Sequence, residues 1–146
     1  MEIVKVKILN TLAKMPTFGS DCAAGADLYA ATDYDLIVRP GETLKIGTGL
    51  AMAIPTGYYG AIFARSGLAT KQGLRPANCV GVIDSDYRGE IIVAMHNDSD
   101  IEQTVPAGSR IAQIIISPVP IIQYKEVTEL SDTTRGSGGF GSTGVE

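Results

Sequence analysis

Turn-forming residues punctuate this chain at intervals of about 8–12 residues, and that rhythm limits the fold more than any other feature. Residues 4–9, 27–31, 35–39, 43–47, 50–54, 58–64, 101–105, 110–117 and 121–126 are apolar or alternating runs rich in Val, Ile, Leu and Thr. Pro40 and Gly41, Pro55 to Gly57, and Pro106 to Gly108 stand between them as turns. Many short strands with regular turns predict an all-β domain, a jelly-roll-like β-sandwich or barrel. In the run 110–117 the alternation places Arg110, Ala112, Ile114 and Ile116 on one face. Residues 16–25 read as loop.

One short helix is expected over residues 66–72, with Ser66 as its cap and Gly73 and Pro76 as its stop. From residue 131 the composition turns to Gly and Ser, which cannot build a core. The chain therefore divides into a β domain, 1–130, and a flexible Gly-rich C-terminal arm, 131–146.

Charge and residue counts exclude several functions. The net charge of −4 argues against a nucleic-acid surface, which usually leaves a basic footprint, yet leaves room for a small phosphorylated ligand. His96 is the only histidine, which argues against His-rich metal sites and a Ser-His-Asp triad; it reads as a strand-end residue entering a turn. Cys22 and Cys79 lack metal-type spacing and read as reduced thiols, Cys79 as a small buried hydrophobe. No apolar run approaches a membrane span, and charges interrupt the apolar start, so neither membrane insertion nor a signal peptide is expected. The reading is cytoplasmic.

Residues 81–93 carry the densest chemistry: Gly81-Val-Ile-Asp-Ser-Asp-Tyr-Arg-Gly-Glu90, followed by Ile91, Ile92 and Val93. Two β-branched runs flank a charged turn, which reads as a β-hairpin. Asp84 and Asp86 are either turn-formers or supply a catalytic carboxylate held on a rigid strand end beside Tyr87. A calcium loop is rejected, because Arg88 and Met95 would occupy ligand positions and strands flank the segment.

Four other segments can touch a ligand. Arg65, Ser66 and Gly67 join a strand end to the helix start, where guanidinium, hydroxyl and amides could cradle phosphate. Asp27, behind four small residues, Ala23 to Ala26, is a turn residue or an oxygen ligand for Mg²⁺, direct or through water. Gln113 interrupts an apolar strand, as an edge residue or as a donor to a ligand. In the tail, Gly136, Gly138 and Gly141 imitate a dinucleotide fingerprint, and 136–143 imitates a P-loop. Both are rejected, because no strand-loop-helix unit surrounds them and Ser142 stands where the lysine belongs. Arg135 and Phe140 instead fit an arm that folds over a ligand, neutralising phosphate and stacking on a base.

In this order, Ala24-Gly-Ala-Asp-Leu-Tyr29, Arg65-Ser-Gly-Leu-Ala69, residues 81–90, Gly108-Ser-Arg-Ile-Ala-Gln113 and residues 135–143 resemble the five motifs of the trimeric dUTPases. The resemblance runs from about residue 24 to the C-terminus. It implies a jelly-roll homotrimer with three active sites shared between subunits. The reaction it implies is hydrolysis of dUTP to dUMP and pyrophosphate, with Mg²⁺ on the triphosphate, keeping uracil out of DNA and supplying dUMP for thymidylate synthesis.

By position, Asp84 would activate the attacking water and Tyr87 would pack under the deoxyribose. Asn78 and the backbone of Gly81, Val82 and Ile83 would read uracil. Arg65, Ser66, Gly67 and Gln113 would hold phosphates, joined by Arg135, Gly141, Ser142 and Thr143, while Phe140 stacks on the base. Asp27 would meet Mg²⁺ through water. The competing readings are a dCTP deaminase or bifunctional deaminase–diphosphatase of the same fold, and a non-catalytic trimeric binding module. Consumption of dCTP would mark the first; an Asp84→Asn variant that leaves function intact would mark the second.

Overall fold

The computed structural model describes residues 2–139. Eleven strands and one helix are present among them: β1 (Lys5–Ile8), β2 (Thr17–Phe18), β3 (Ala26–Tyr29), β4 (Leu36–Val38), β5 (Thr43–Ala53), β6 (Tyr58–Phe63), α1 (Ser66–Gln72), β7 (Leu74–Pro76), β8 (Gly81–Ile83), β9 (Glu90–Asn97), β10 (Gln103–Val105) and β11 (Arg110–Pro118). They form a four-stranded sheet, β1-β5-β9-β7, and a five-stranded sheet, β2-β3-β11-β6-β8, with β10 and β4 as a separate pair. The sheets pack as a jelly-roll-like sandwich and do not close into a barrel.

Between them lies one apolar core that includes Leu28, Leu50, Leu74, Ile91, Met95 and Ile111, each fully buried. Alternation produces it: in β9, Ile91, Val93 and Met95 point inward while Ile92 is exposed. Leu28 lies opposite Ala112 across the β3–β11 pair. Leu28→Ala should therefore cost about 3 kcal/mol of unfolding free energy, read from the urea midpoint at constant slope.

Several sequence expectations are corrected. Residues 43–47 and 50–54 are not separate strands; they are the two halves of β5, joined through a bulge opposite β9 between Gly47 and Ala51. Loop 16–25 contains the two-residue strand β2. Residues 121–126 are not a strand: Ile121 is 97% exposed and Tyr124 91%, and the apolar pattern finds no partner strand among the described residues. A second bulge, in β11 between Arg110 and Ala112, breaks the alternation expected there. Arg110 consequently leaves the inward face of Ala112 and Ile114, and its guanidinium reaches Asp27.

The largest correction concerns residues 81–93. β8 pairs with β6, through Gly60 with Ile83 and Ile62 with Gly81, whereas β9 pairs with β5 and β7. The segment is an arch from one sheet to the other rather than a hairpin. Turn chemistry is the same in both arrangements; the pairing partner, supplied by distant residues, decides between them. As a result β8 is an edge strand whose outer side has no strand partner among the described residues.

Candidate active site

The arch builds a small cleft where the two sheets part. Its floor and walls are Ile62 of β6, Pro76 of β7, Asn78, the β8 residues Gly81, Val82 and Ile83, and Ile92 to Ala94 of β9, around a cavity of about 100 Å³. Packing at Gly81 is tight: a Cβ there would stand 3.2 Å from Ile62 Cβ and 3.5 Å from Asn78 Nδ2. An edge strand presents unpaired N–H and C=O groups, and here the edge strand lines a pocket of roughly one planar ring. The geometry suits a base read by backbone.

Asn78 sits in a turn closed by bonds from Cys79 N to Pro76 O at 3.0 Å and from Val80 N to Asn78 O at 2.7 Å. Arg75 braces this turn, donating to the carbonyls of Pro76 and Ala77 at 3.2 and 3.4 Å while its other nitrogens grip Asp98. That hydrogen bond to Asp98 raises the guanidinium above its already high ordinary value, so the brace stays cationic. Cys79 is exposed rather than buried, with φ of 63°. A tight turn, not packing, holds it. His96 does sit near the end of β9, as expected, with Nδ1 2.8 Å from Thr43 Oγ1.

Next to the cleft, Val82, Ile83, Asp84, Tyr87, Glu90 and Ile92 line a second hollow of about 160 Å³. Tyr87 N donates to Asp84 O at 3.1 Å and closes the turn between them. Arg88 ties the turn from outside, donating to the carbonyls of Ser85 and Tyr87 at 2.7 and 2.8 Å. Asp84 is exposed, and Tyr87 is 43% exposed. An accessible carboxylate beside an accessible aromatic face can activate a water next to a sugar. Val82, 61% exposed, offers apolar surface on the same rim.

The polar cradle lies elsewhere on the chain. Gly25, Asp27, Arg65, Ser66, Arg110 and Gln113 line a hollow of about 220 Å³ that shares no lining residue with the other two. Arg65 Nε lies 2.8 Å from Asp27 Oδ1 and Arg110 Nη1 3.1 Å from Asp27 Oδ2. The Asp27 side chain is only 13% exposed, and both its oxygens are engaged. Gln113 Nε2 donates to Ala64 O at 2.9 Å, and a Cβ on Gly25 would lie 2.7 Å from Gln113 Oε1. Two guanidiniums around one carboxylate leave net positive charge for a phosphate.

α1 has the bounds the sequence predicts, closed by Gly73 at φ of 66°. Its N-cap position, however, is Arg65 with no side-chain cap bond, and Ser66 is the first helical residue. Ser66 instead uses its carbonyl to accept from Thr70 Oγ1. Thus Ser66 and Gly67 are exposed beside Arg65, free of the capping duty expected of Ser66.

In the tail, Arg135 Nε donates to Gly138 O at 3.0 Å, a bond internal to the arm. Phe140, Gly141, Ser142 and Thr143 lie outside the described residues. Sequence reasoning missed Arg110, which only the bulge brings to Asp27, and Glu90, which lines the hollow of Asp84. Among the described residues no three His, Cys, Asp or Glu side chains converge on a metal site, and no helix is long and apolar enough to cross a membrane.

Fold and site together define a β-sandwich protein with a ring-sized cleft at an open strand edge and a separate anion cradle. A dUTPase family model matches residues 11–144. The deoxyuridine 5'-triphosphate nucleotidohydrolase of Desulfitobacterium hafniense is 49% identical over 150 residues, covering 99% of both chains. That of Nautilia profundicola is 50% identical over 141 residues, covering 97% of this chain and 98% of its own. Among solved structures, the dUTPase of Staphylococcus bacteriophage 80alpha with dUPNHPP superposes with a TM-score of 0.90 at 30% identity, covering 99% and 100% of the two chains. A mutant dUTPase from phage phi11 of S. aureus, described with a structural Mg(II) ion, gives 0.78 at 26% identity over 88% of this chain and 98% of its own. The chain belongs to the dUTPase family.

Proposed function

We infer that this chain hydrolyses dUTP to dUMP and pyrophosphate, with Asp84 as the base that activates the attacking water at the α-phosphorus. The observation that carries the reading is the open outer edge of β8 beside Asp84 and Tyr87. Uracil presents an acceptor, a donor and an acceptor along one edge, a pattern that backbone groups of Gly81 to Ile83 with the Asn78 amide can satisfy. Cytosine's amino group and bare nitrogen would leave buried groups mismatched, and thymine's methyl would overlap the narrow wall. Tyr87 under the sugar leaves no space for a 2′-hydroxyl.

Arg65, Ser66, Gly67 and Gln113 hold the phosphates, with Arg110 added by its place beside Asp27. The cradle and the base cleft share no lining residue in one chain, which supports a homotrimer whose sites combine elements of neighbouring subunits. The exposed apolar residues Ile121, Ile122 and Tyr124 support the same assembly, since the described residues of the single chain leave them uncovered. The arm, 131–146, then closes over the nucleotide as a unit apart from the β domain, with Arg135, Gly141, Ser142 and Thr143 at the phosphates and Phe140 on the base.

Asp27 alone, both oxygens already paired, does not make a cage for a resident cation. Mg²⁺ therefore belongs to the proposal as part of the substrate, carried on the triphosphate with at most a water between it and Asp27. There it neutralises phosphate charge. The chain's own residues do the rest: orient the α-phosphorus, hold the water and take its proton. Hydrolysis in H₂¹⁸O tests the point of attack. Label in dUMP supports it; label confined to pyrophosphate contradicts it.

A further inference from the structure

Glu90 opens β9 opposite Ala51, at the point where β5 bulges. Its side chain reaches into that bulge: Oε1 accepts from Gly49 N at 2.7 Å, at a backbone position whose φ is 66°. The fit around the carboxylate is close, because a Cβ on Gly47 would stand 2.5 Å from the same oxygen. Beside it, Thr48 Oγ1 donates to Ile91 O at 2.7 Å and fixes the bulge against β9. The first residue of β9 is thus tied to β5 by its side chain as well as by the ladder.

The backbone of Glu90 has a second partner. Tyr87 OH donates to Glu90 O at 3.0 Å, and the Tyr87 ring lies over Gly89 so closely that a Cβ there would overlap its hydroxyl. The Tyr87 backbone is held by Asp84 O and Arg88, but its hydroxyl is held by Glu90 O; the tilt of the ring is thus referred to Glu90, and Glu90 to Gly47 and Gly49. Glu90 also lines the hollow shared by Asp84 and Tyr87.

We propose that Glu90, anchored in the β5 bulge, is a positioning residue for sugar discrimination, holding Tyr87 where it excludes a 2′-hydroxyl. The proposal rests on the nucleotide-site reading above. Loss of the anchor lets the tyrosine shift, which admits the ribonucleotide more than it harms the deoxyribonucleotide. Amide replacement at this position keeps the Oε1 acceptor, so charge is dispensable and the hydrogen bond is not.

The test is the ratio of kcat/KM for dUTP to kcat/KM for UTP in the full-length protein. Glu90→Ala should lower the ratio about tenfold, the scale of one lost hydrogen bond, and Glu90→Gln should keep it within about twofold. Gly47→Ala, which pushes the carboxylate aside from below, should reproduce Glu90→Ala, and the double variant should be no worse than Glu90→Ala alone. Should Glu90→Ala fail to fold, Tyr87→Phe cuts the tether at its other end and should lower the ratio to a similar extent. A well-folded Glu90→Ala with the unaltered ratio overturns the proposal, as does loss of the ratio in Glu90→Gln. A parent protein that turns over neither nucleotide overturns the site reading itself, which separates the two failures.

Discussion

Asp84→Asn is expected to reduce dUTP turnover about a thousandfold, within the range that a positioned general base supplies. The substitution keeps size and turn propensity, so Tyr87 N still closes on the Asp84 carbonyl and the arch keeps its shape. The asparagine has no basic site for the proton of water. Nucleotide affinity should hold, because the base cleft and the arginine cradle are built from other residues. Calorimetric titration with a non-hydrolysable dUTP analogue, beside steady-state kinetics, separates the two. Turnover close to that of the parent would remove Asp84 from its role.

Deleting residues 135–146 should lower turnover about a hundredfold while leaving the melting temperature unchanged. The described part of the arm makes its side-chain bonds within itself, Arg135 to Gly138 and Gly136 to Thr133, and residues 118–137 are all exposed. Nothing in that arrangement supports the core. Closing an arm over bound nucleotide costs ordering entropy and returns it by excluding water and placing groups on the phosphates. A misplacement of about 1 Å at a reacting centre costs on the order of a hundredfold. A truncated chain that unfolds, or one that works at the parent rate, would contradict the lid.

What the sequence made legible was local. The bounds of α1 follow from Gly73, which only a left-handed closure explains, and the strand rhythm from Pro and Gly at the turns. Asp84 and Tyr87 were visible as chemistry on a turn, Asn78 only through the family resemblance, and the structure gathers the three around adjoining hollows. What stayed hidden depended on distant partners. The arch of residues 81–93 has every local mark of a hairpin, and only β6 and β5 reveal that its strands belong to different sheets.

Arg110 carries the same lesson. Strict alternation sends it inward with Ala112, and one extra residue at the bulge, a choice of the β3–β11 register, turns it to Asp27. Residues 121–126 begin as an apolar run, but burial needs a surface to bury against, and the described residues supply none. Glu90 gave no signal at all, because an acidic residue entering a strand is ordinary until its carboxylate is seen between Gly47 and Gly49.

The open edge of β8 as a uracil reader is the centre of the account, and product chromatography tests it most directly. dUTP, dCTP, dTTP and UTP are each incubated with the protein and Mg²⁺, and the products are separated. The account predicts conversion of dUTP alone, to dUMP and pyrophosphate. Consumption of dCTP would replace it with deaminase-type chemistry, and turnover of none would leave a family fold serving as a binding module.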